Sequence, residues 1–131
     1  MPELWSVHAT QDACELAMRA PGAGRVATDE VMVRGPVADD IRRAIRTVDP
    51  HAVIRDPAEG WTEIELPGGD ARAVFARSSE LRLPDGSGYV QGDVAGVGAR
   101  IFVENDRIWL LVPASLGACF RQRLSAAGPD G

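Results

Sequence analysis

The stretch ARIFVENDRIWLLVP, residues 99–113, constrains the fold more than any other part of this chain. Two runs rich in β-branched and aromatic residues are separated by Asn105-Asp106 alone, a spacing that reads as a β-hairpin closed by a two-residue turn. The turn length sets the register, because a slip of one residue would carry every side chain to the other face. Glu104 is then expected opposite Arg107, Val103 opposite Ile108, Phe102 opposite Trp109, Ile101 opposite Leu110 and Arg100 opposite Leu111. One face holds Ile101, Val103, Ile108, Leu110 and Val112, an apolar set suited to packing against helices. The other holds Phe102, Trp109 and Leu111, flanked by Arg100, Glu104 and Arg107.

An aromatic cross-strand pair ringed by charge is not a face meant for water. Either an opening hairpin or a helix of this chain covers it, or it is presented to a partner. Contiguous apolar patches with polar rims mark interaction surfaces, and Trp and Arg are common anchors in them. The candidate interface residues are therefore Phe102, Trp109, Leu111, Arg100 and Arg107, with Trp5 and Trp61 placed to join either arrangement.

The glycines just upstream, in VQGDVAGVG, raise the question of a phosphate-binding loop. Such a loop needs glycines between a strand and a helix N-terminus, so that backbone amides and the helix dipole converge on one anion. Here Gly92, Gly96 and Gly98 lead into strand-like sequence, and PGAGR at 21–25 likewise leads into a strand. The glycine-rich stretch is read as the bend that feeds the hairpin, and no cofactor-binding residue is assigned to it.

Elsewhere the periodicity alternates between strand and helix. DACELAMRA and GRVATDEVMVRG read as two short strands joined through Pro21-Gly22-Ala23-Gly24. Val37, Ile41, Ala44, Ile45 and Val48 form one helical stripe, with Asp39, Arg42, Arg43 and Arg46 opposite, Pro36 near the first turn and Pro50 at the stop. HAVIRD is a short extended piece. In GWTEIELPG the residues Thr62, Ile64 and Leu66 share one face of a strand. A short helix follows, with Ala71, Val74, Phe75 and Ser78 on its stripe and Asp70 placed to satisfy its open amides. A last helix carries Leu116, Cys119, Phe120 and Leu124, with Arg121 and Arg123 outward.

These elements predict an α+β domain of two layers, a mostly antiparallel sheet with helices on one face. The length favours one domain over 1–131: opening strands and a helix over 1–59, a core over 60–125 and a flexible tail over 126–131. A net charge of −5 and a pI near 5.0 argue against nucleic acid or anionic lipid as partners. The first twenty residues carry acidic groups and no long apolar run, so neither a secretion signal nor a membrane anchor is expected, and the cytoplasm is the expected compartment. Cys14 and Cys119 fit no metal or redox spacing and are expected as buried free thiols.

Little in the residues points to catalysis. His8 and His51 lack a second ligand at helical or turn spacing, so no metal site is expected. No G-x-S-x-G elbow occurs, and Ser6 near His8 is read as sequence proximity rather than part of a triad. The acidic pairs Asp39-Asp40, Asp12 with Glu15, and Glu63 with Glu65 read as a helix start and solvated faces. No catalytic residue is named.

The run GWTEIELPGGDARAVFARSSELRLP, followed by GYVQGDVAGVGARIFVENDRIWLLVPASLGACFRQRL, resembles the folate-binding N-terminal domain of the aminomethyltransferase family. The likeness extends to the gamma subunit of heterotetrameric sarcosine oxidase, which shares that fold. It is carried by the strand 61–66, the helix start Gly68-Gly69-Asp70-Ala71, the strand 99–104 and Leu110-Leu111-Val112-Pro113, and covers residues 60–125. The resemblance implies a ferredoxin-like or aminomethyltransferase-like α+β fold. It also implies a role as accessory subunit of a multi-subunit oxidase of sarcosine-type amines, with flavin held by larger partner subunits. Family enzymes that handle the folate one-carbon unit carry an acidic residue in the strand after the glycine turn, whereas this chain has Gly98-Ala99-Arg100-Ile101-Phe102 there. Tetrahydrofolate is therefore expected only under the alternative of a stand-alone, folate-linked one-carbon enzyme. A homodimer through the Phe102/Trp109 face is the third possibility.

Overall fold

The computed structural model describes residues 3–66 and 68–126. The chain divides into two compact units, Met1–Ala58 and Glu59–Gly131. Each builds its own four-stranded antiparallel sheet and its own apolar cluster, which is the physical basis of the division. The fold class is α+β, with four helices and two sheets among the described residues. From residue 127 the expected flexible tail lies outside the described residues.

The first unit runs β1 (Leu4–His8), α1 (Gln11–Ala17), β2 (Ala23–Ala27), β3 (Glu30–Arg34), α2 (Asp39–Val48) and β4 (Val53–Arg55). Its strand order is β2-β3-β1-β4, the order of a ferredoxin-like βαββαβ unit. Trp5 pairs with Val33 and Val7 with Val31, so alternation turns these side chains toward the cluster that includes Ala13, Cys14, Ala17 and Ile45. Ser6 and its partner Met32 lie on the opposite face and are also buried.

Two expectations fail here. DACELAMRA is not a strand: its residues fall on helix α1 and the turn after it. Thr10 caps the helix, accepting a hydrogen bond from the Ala13 amide at 3.4 Å. The residues α1 buries, Ala13, Cys14 and Ala17, are small enough to lie close against a neighbouring element. The Pro21–Gly24 cluster thus links a helix to β2, and the hairpin turn lies at Thr28-Asp29. The pattern also named no element over Leu4–His8, because a central strand with buried residues on both faces loses its alternation.

Helix α2 follows its expected stripe in part. Ile45 is fully buried and Ile41 and Ala44 half-buried, whereas Val48 at the end is 47% exposed. Pro36 precedes the helix instead of entering its first turn, and Ala38 occupies the cap without a side-chain bond. Asp39 and Asp40 stand in the first turn, where the helix dipole favours negative charge. Arg43 and Arg46 are exposed, but Arg42 lies over the Trp5 ring, 4.1 Å from its centroid.

The second unit runs β5 (Trp61–Glu65), α3 (Ala71–Ser78), β6 (Gly88–Val94), β7 (Val97–Glu104), β8 (Arg107–Pro113) and α4 (Gly117–Ala126), the last entered through a 3-10 turn at Ala114–Leu116. The strand order is β5-β8-β7-β6. The β7–β8 register has all five pairs read from the sequence, Glu104 with Arg107 through Arg100 with Leu111. Asn105 holds the turn with φ of 55°, in the left-handed region that Asn tolerates better than most residues.

Ile101, Val103, Ile108, Leu110 and Val112 pack with Ile64, Leu66, Val74, Phe75, Phe120 and Leu124 in one core. Burying a side chain such as Phe120 completely contributes on the order of 1.5–3 kcal/mol. Gly117 permits the close approach of α4 to β5, since a Cβ there would stand 2.7 Å from Thr62 Oγ1. Asp70 occupies the cap of α3, but its side chain makes no capping bond, because its backbone (φ −107°, ψ 10°) departs from the extended form usual at a cap; its carbonyl accepts from the Val74 amide at 2.9 Å. The expected stripe of α4 is buried only on one side: Phe120 and Leu124 enter the core, while Leu116 and Cys119 are exposed.

Candidate functional site

The glycine-rich stretch is a hairpin. Gly88–Val94 pairs with Val97–Glu104 across a turn at Ala95-Gly96, with Val94 opposite Val97 and Gly92 opposite Ala99. Both turn residues have positive φ, 49° and 83°, as a twist-compatible two-residue turn requires. A strand follows, so no helix N-terminus faces the loop, and the arrangement has none of the convergent amides that would cradle a phosphate. The strand after the turn carries Arg100, with its guanidinium 4.3 Å from the centre of the Trp61 ring.

The apolar residues of the Phe102/Trp109 face are buried in the folded chain. Phe102 and Trp109 are each 4% exposed and Leu111 is 1% exposed. Tyr89 lies tilted against Phe102 with ring centroids 5.0 Å apart, and the Arg107 guanidinium sits 4.7 Å from the Trp109 ring centre. Arg107 is further held by Glu65 through two bonds of 2.9 and 3.1 Å. Of the five candidate interface residues, only half-buried Arg100 and exposed Arg107 reach solvent. The Tyr89 ring and the Arg107 guanidinium each cover part of this apolar area within the chain.

Ser6 and His8 are closer than their sequence reading suggested. Alternation along β1 sets i and i+2 on one face, and Ser6 Oγ lies 3.0 Å from His8 Nε2. Glu30, opposite His8 across the sheet, approaches the same nitrogen at 3.8 Å. A serine–histidine–carboxylate relay needs the hydroxyl on one ring nitrogen and the carboxylate on the other, so this trio lacks the geometry for nucleophilic catalysis. Ser6 is also only 2% exposed. Among the described residues no group of three or more His, Cys, Asp or Glu side chains could hold a metal ion.

A groove of about 570 Å³ opens at the end of α3, lined by Ser78, Ser79, Leu81, Asp93, Ala95 and Gly96 among others. Some of its polar groups bond within the chain. Ser79 Oγ donates to the Asp93 carbonyl at 2.7 Å, the Ala95 amide donates to the Ser78 carbonyl, and Arg123 donates to the Ala95 carbonyl at 2.9 Å. Arg77 and Glu80 also line the groove, so its wall mixes charged and apolar groups.

The two thiols have different surroundings, contrary to the expectation that both are buried. Cys14 is fully buried, its Sγ 3.6 Å from the Ala9 carbonyl, and desolvation pushes its thiol above the ordinary value despite the opposing charge of Arg25. Cys119 is exposed on α4, because the helix turns Phe120 rather than Cys119 into the core. No sequence signal separated them, since Leu116, Cys119, Phe120 and Leu124 have the ordinary spacing of a core-facing helix stripe. Among the described residues, no helix is long and apolar enough to cross a membrane.

Neither a family model nor a curated protein matches the sequence. Among solved structures, the fold is similar to a chain of heterotetrameric sarcosine oxidase from Corynebacterium sp. U-96, in complex with pyrrole 2-carboxylate. The TM-score is 0.68 and the identity 13%, covering 95% of this chain and 78% of that one. The likeness takes in both units, including residues 1–59 that the sequence resemblance left out.

Proposed function

We propose that this chain is a gamma-like accessory subunit of a multi-subunit, flavin-dependent oxidase or demethylase acting on a sarcosine-type amine. The larger subunits of that assembly hold the flavin. The observation that carries the reading is the fold match along nearly the whole chain to a component of a heterotetramer. Two features of the chain support a binding role over a catalytic one. The strand after the glycine turn, Gly98-Ala99-Arg100-Ile101-Phe102, holds no carboxylate of the kind a folate-handling relative carries there, and the Ser6–His8–Glu30 trio meets at a single nitrogen.

Co-expression of the chain with the large flavin-binding subunits of a heterotetrameric sarcosine-type oxidase, followed by size-exclusion chromatography with absorbance near the flavin bands, tests the reading. The expected result is one peak holding this chain and the yellow subunits in fixed ratio. A chain that elutes alone under every condition where those subunits remain folded would overturn it.

A further inference from the structure

The groove at the end of α3 carries opposite charges that the chain itself does not use. Arg77 and Glu80 both line it and are exposed. Among the described residues neither side chain takes part in a hydrogen bond, an ion pair or a ring contact. Charges left to water are ordinary on a protein surface, and by themselves they say nothing. These two stand on the wall of a cavity of about 570 Å³, within the range of about 300–1,000 Å³ common for small-molecule sites.

The end of the helix adds acceptors. A helix leaves its last carbonyls without intrahelical partners, and α3 ends at Ser78. The Ser79 amide bonds the Phe75 carbonyl, the Ala95 amide the Ser78 carbonyl, and the Leu81 amide the Ser79 hydroxyl. Among the described residues no backbone amide from outside the helix reaches the carbonyls of Ala76 and Arg77, and both residues line the groove. This is also the negative end of the helix dipole. A bound cation would therefore meet carbonyls and the Glu80 carboxylate, and a bound anion the Arg77 guanidinium. Leu81 and Ala95 supply apolar wall and are held in place by packing against the core.

We propose that this groove binds a zwitterionic aliphatic amino acid. Its carboxylate lies on Arg77, its ammonium on Glu80 and the last carbonyls of α3, and its side chain against Leu81 and Ala95. A ligand with one charge leaves the opposite protein charge unmatched, which is the basis of selectivity. The proposal concerns the second unit alone and holds whether or not the chain is an accessory subunit.

Titration of the full, isotope-labelled chain with L-leucine, followed by amide NMR, tests it. The amides of Ser78, Ser79, Leu81, Ala95 and Gly96 should shift together and saturate with a Kd on the order of 1 mM. Isoamylamine and 4-methylpentanoate keep the aliphatic body and one charge each, and both should bind at least about tenfold more weakly. Arg77→Met and Glu80→Gln should each weaken leucine binding at least about tenfold. Arg82→Met, which removes an exposed guanidinium outside the groove lining, should leave it within about twofold. The amide spectrum of each variant establishes that it is folded. Absence of a saturable shift at about a hundred times that Kd, saturable shifts confined to another part of the chain, or equal binding by either singly charged analogue would overturn the proposal.

Discussion

Ala95 is the residue at which local preference and fold most clearly disagree. It sits at φ of 49°, first of the two residues between Val94 and Val97, and an L side chain in that region costs about 1 kcal/mol. Nothing in the sequence VAGV flags it, because valine on both sides suits a continuous strand. The strain is accepted because the register on either side buries Val94, Val97 and Ala99 in the core. Replacing Ala95 by Asn creates the Asn-Gly pair favoured in such turns. Ala95→Asn should therefore stabilise the chain by about 0.5–1 kcal/mol, read as a shift of the urea midpoint without change of slope. An unchanged or lower midpoint would show that the turn is not strained. The Asn105 turn, in contrast, was readable at once, since Asn-Asp between alternating runs is itself a turn signal.

At the level of elements, one arginine ties together segments that have no strand or helix in common. Arg72, in the first turn of α3, donates through Nη2 to the carbonyls of Pro84, Gly86 and Asn105 at 3.2, 3.3 and 2.8 Å. The Asn105 amide in turn donates to the Gly86 carbonyl at 3.1 Å. The connector 79–87 and the β7–β8 turn are thereby held as one body with α3. Arg72→Met keeps much of the stem's packing and removes the donors, leaving three carbonyls to find water. It should cost about 1–2 kcal/mol and speed amide exchange at Asn105 and in residues 84–88 ahead of the rest of the second unit. Uniform exchange behaviour across that unit would argue that the arginine is incidental. No sequence pattern pointed to Arg72, because its partners are backbone carbonyls 12, 14 and 33 residues away and carbonyls carry no signature in composition.

For the molecule as a whole, the test that separates the readings is a ligand rather than a mutation. A chain that relies on partners for chemistry should show no shift of melting temperature with tetrahydrofolate at concentrations up to about a hundred times a micromolar dissociation constant. A binder of that strength would gain about 2.7 kcal/mol there and melt several degrees higher. A rise of that size would restore the stand-alone folate-linked reading. What the residues determined unaided was local: the β7–β8 register, the core face of that hairpin, the strand over Trp61–Glu65, the helices α2, α3 and α4, and the strand that follows the glycines. These follow from turn length and side-chain period, which act between near neighbours. Tertiary structure alone decided that the chain forms two compact units, that DACELA is a helix, that Phe102 and Trp109 are enclosed, and that Cys119 is open to solvent. Each of those depends on which surface finally lies against which, and burial is a property of the assembled chain: periodicity shows that a face is apolar without showing what will cover it.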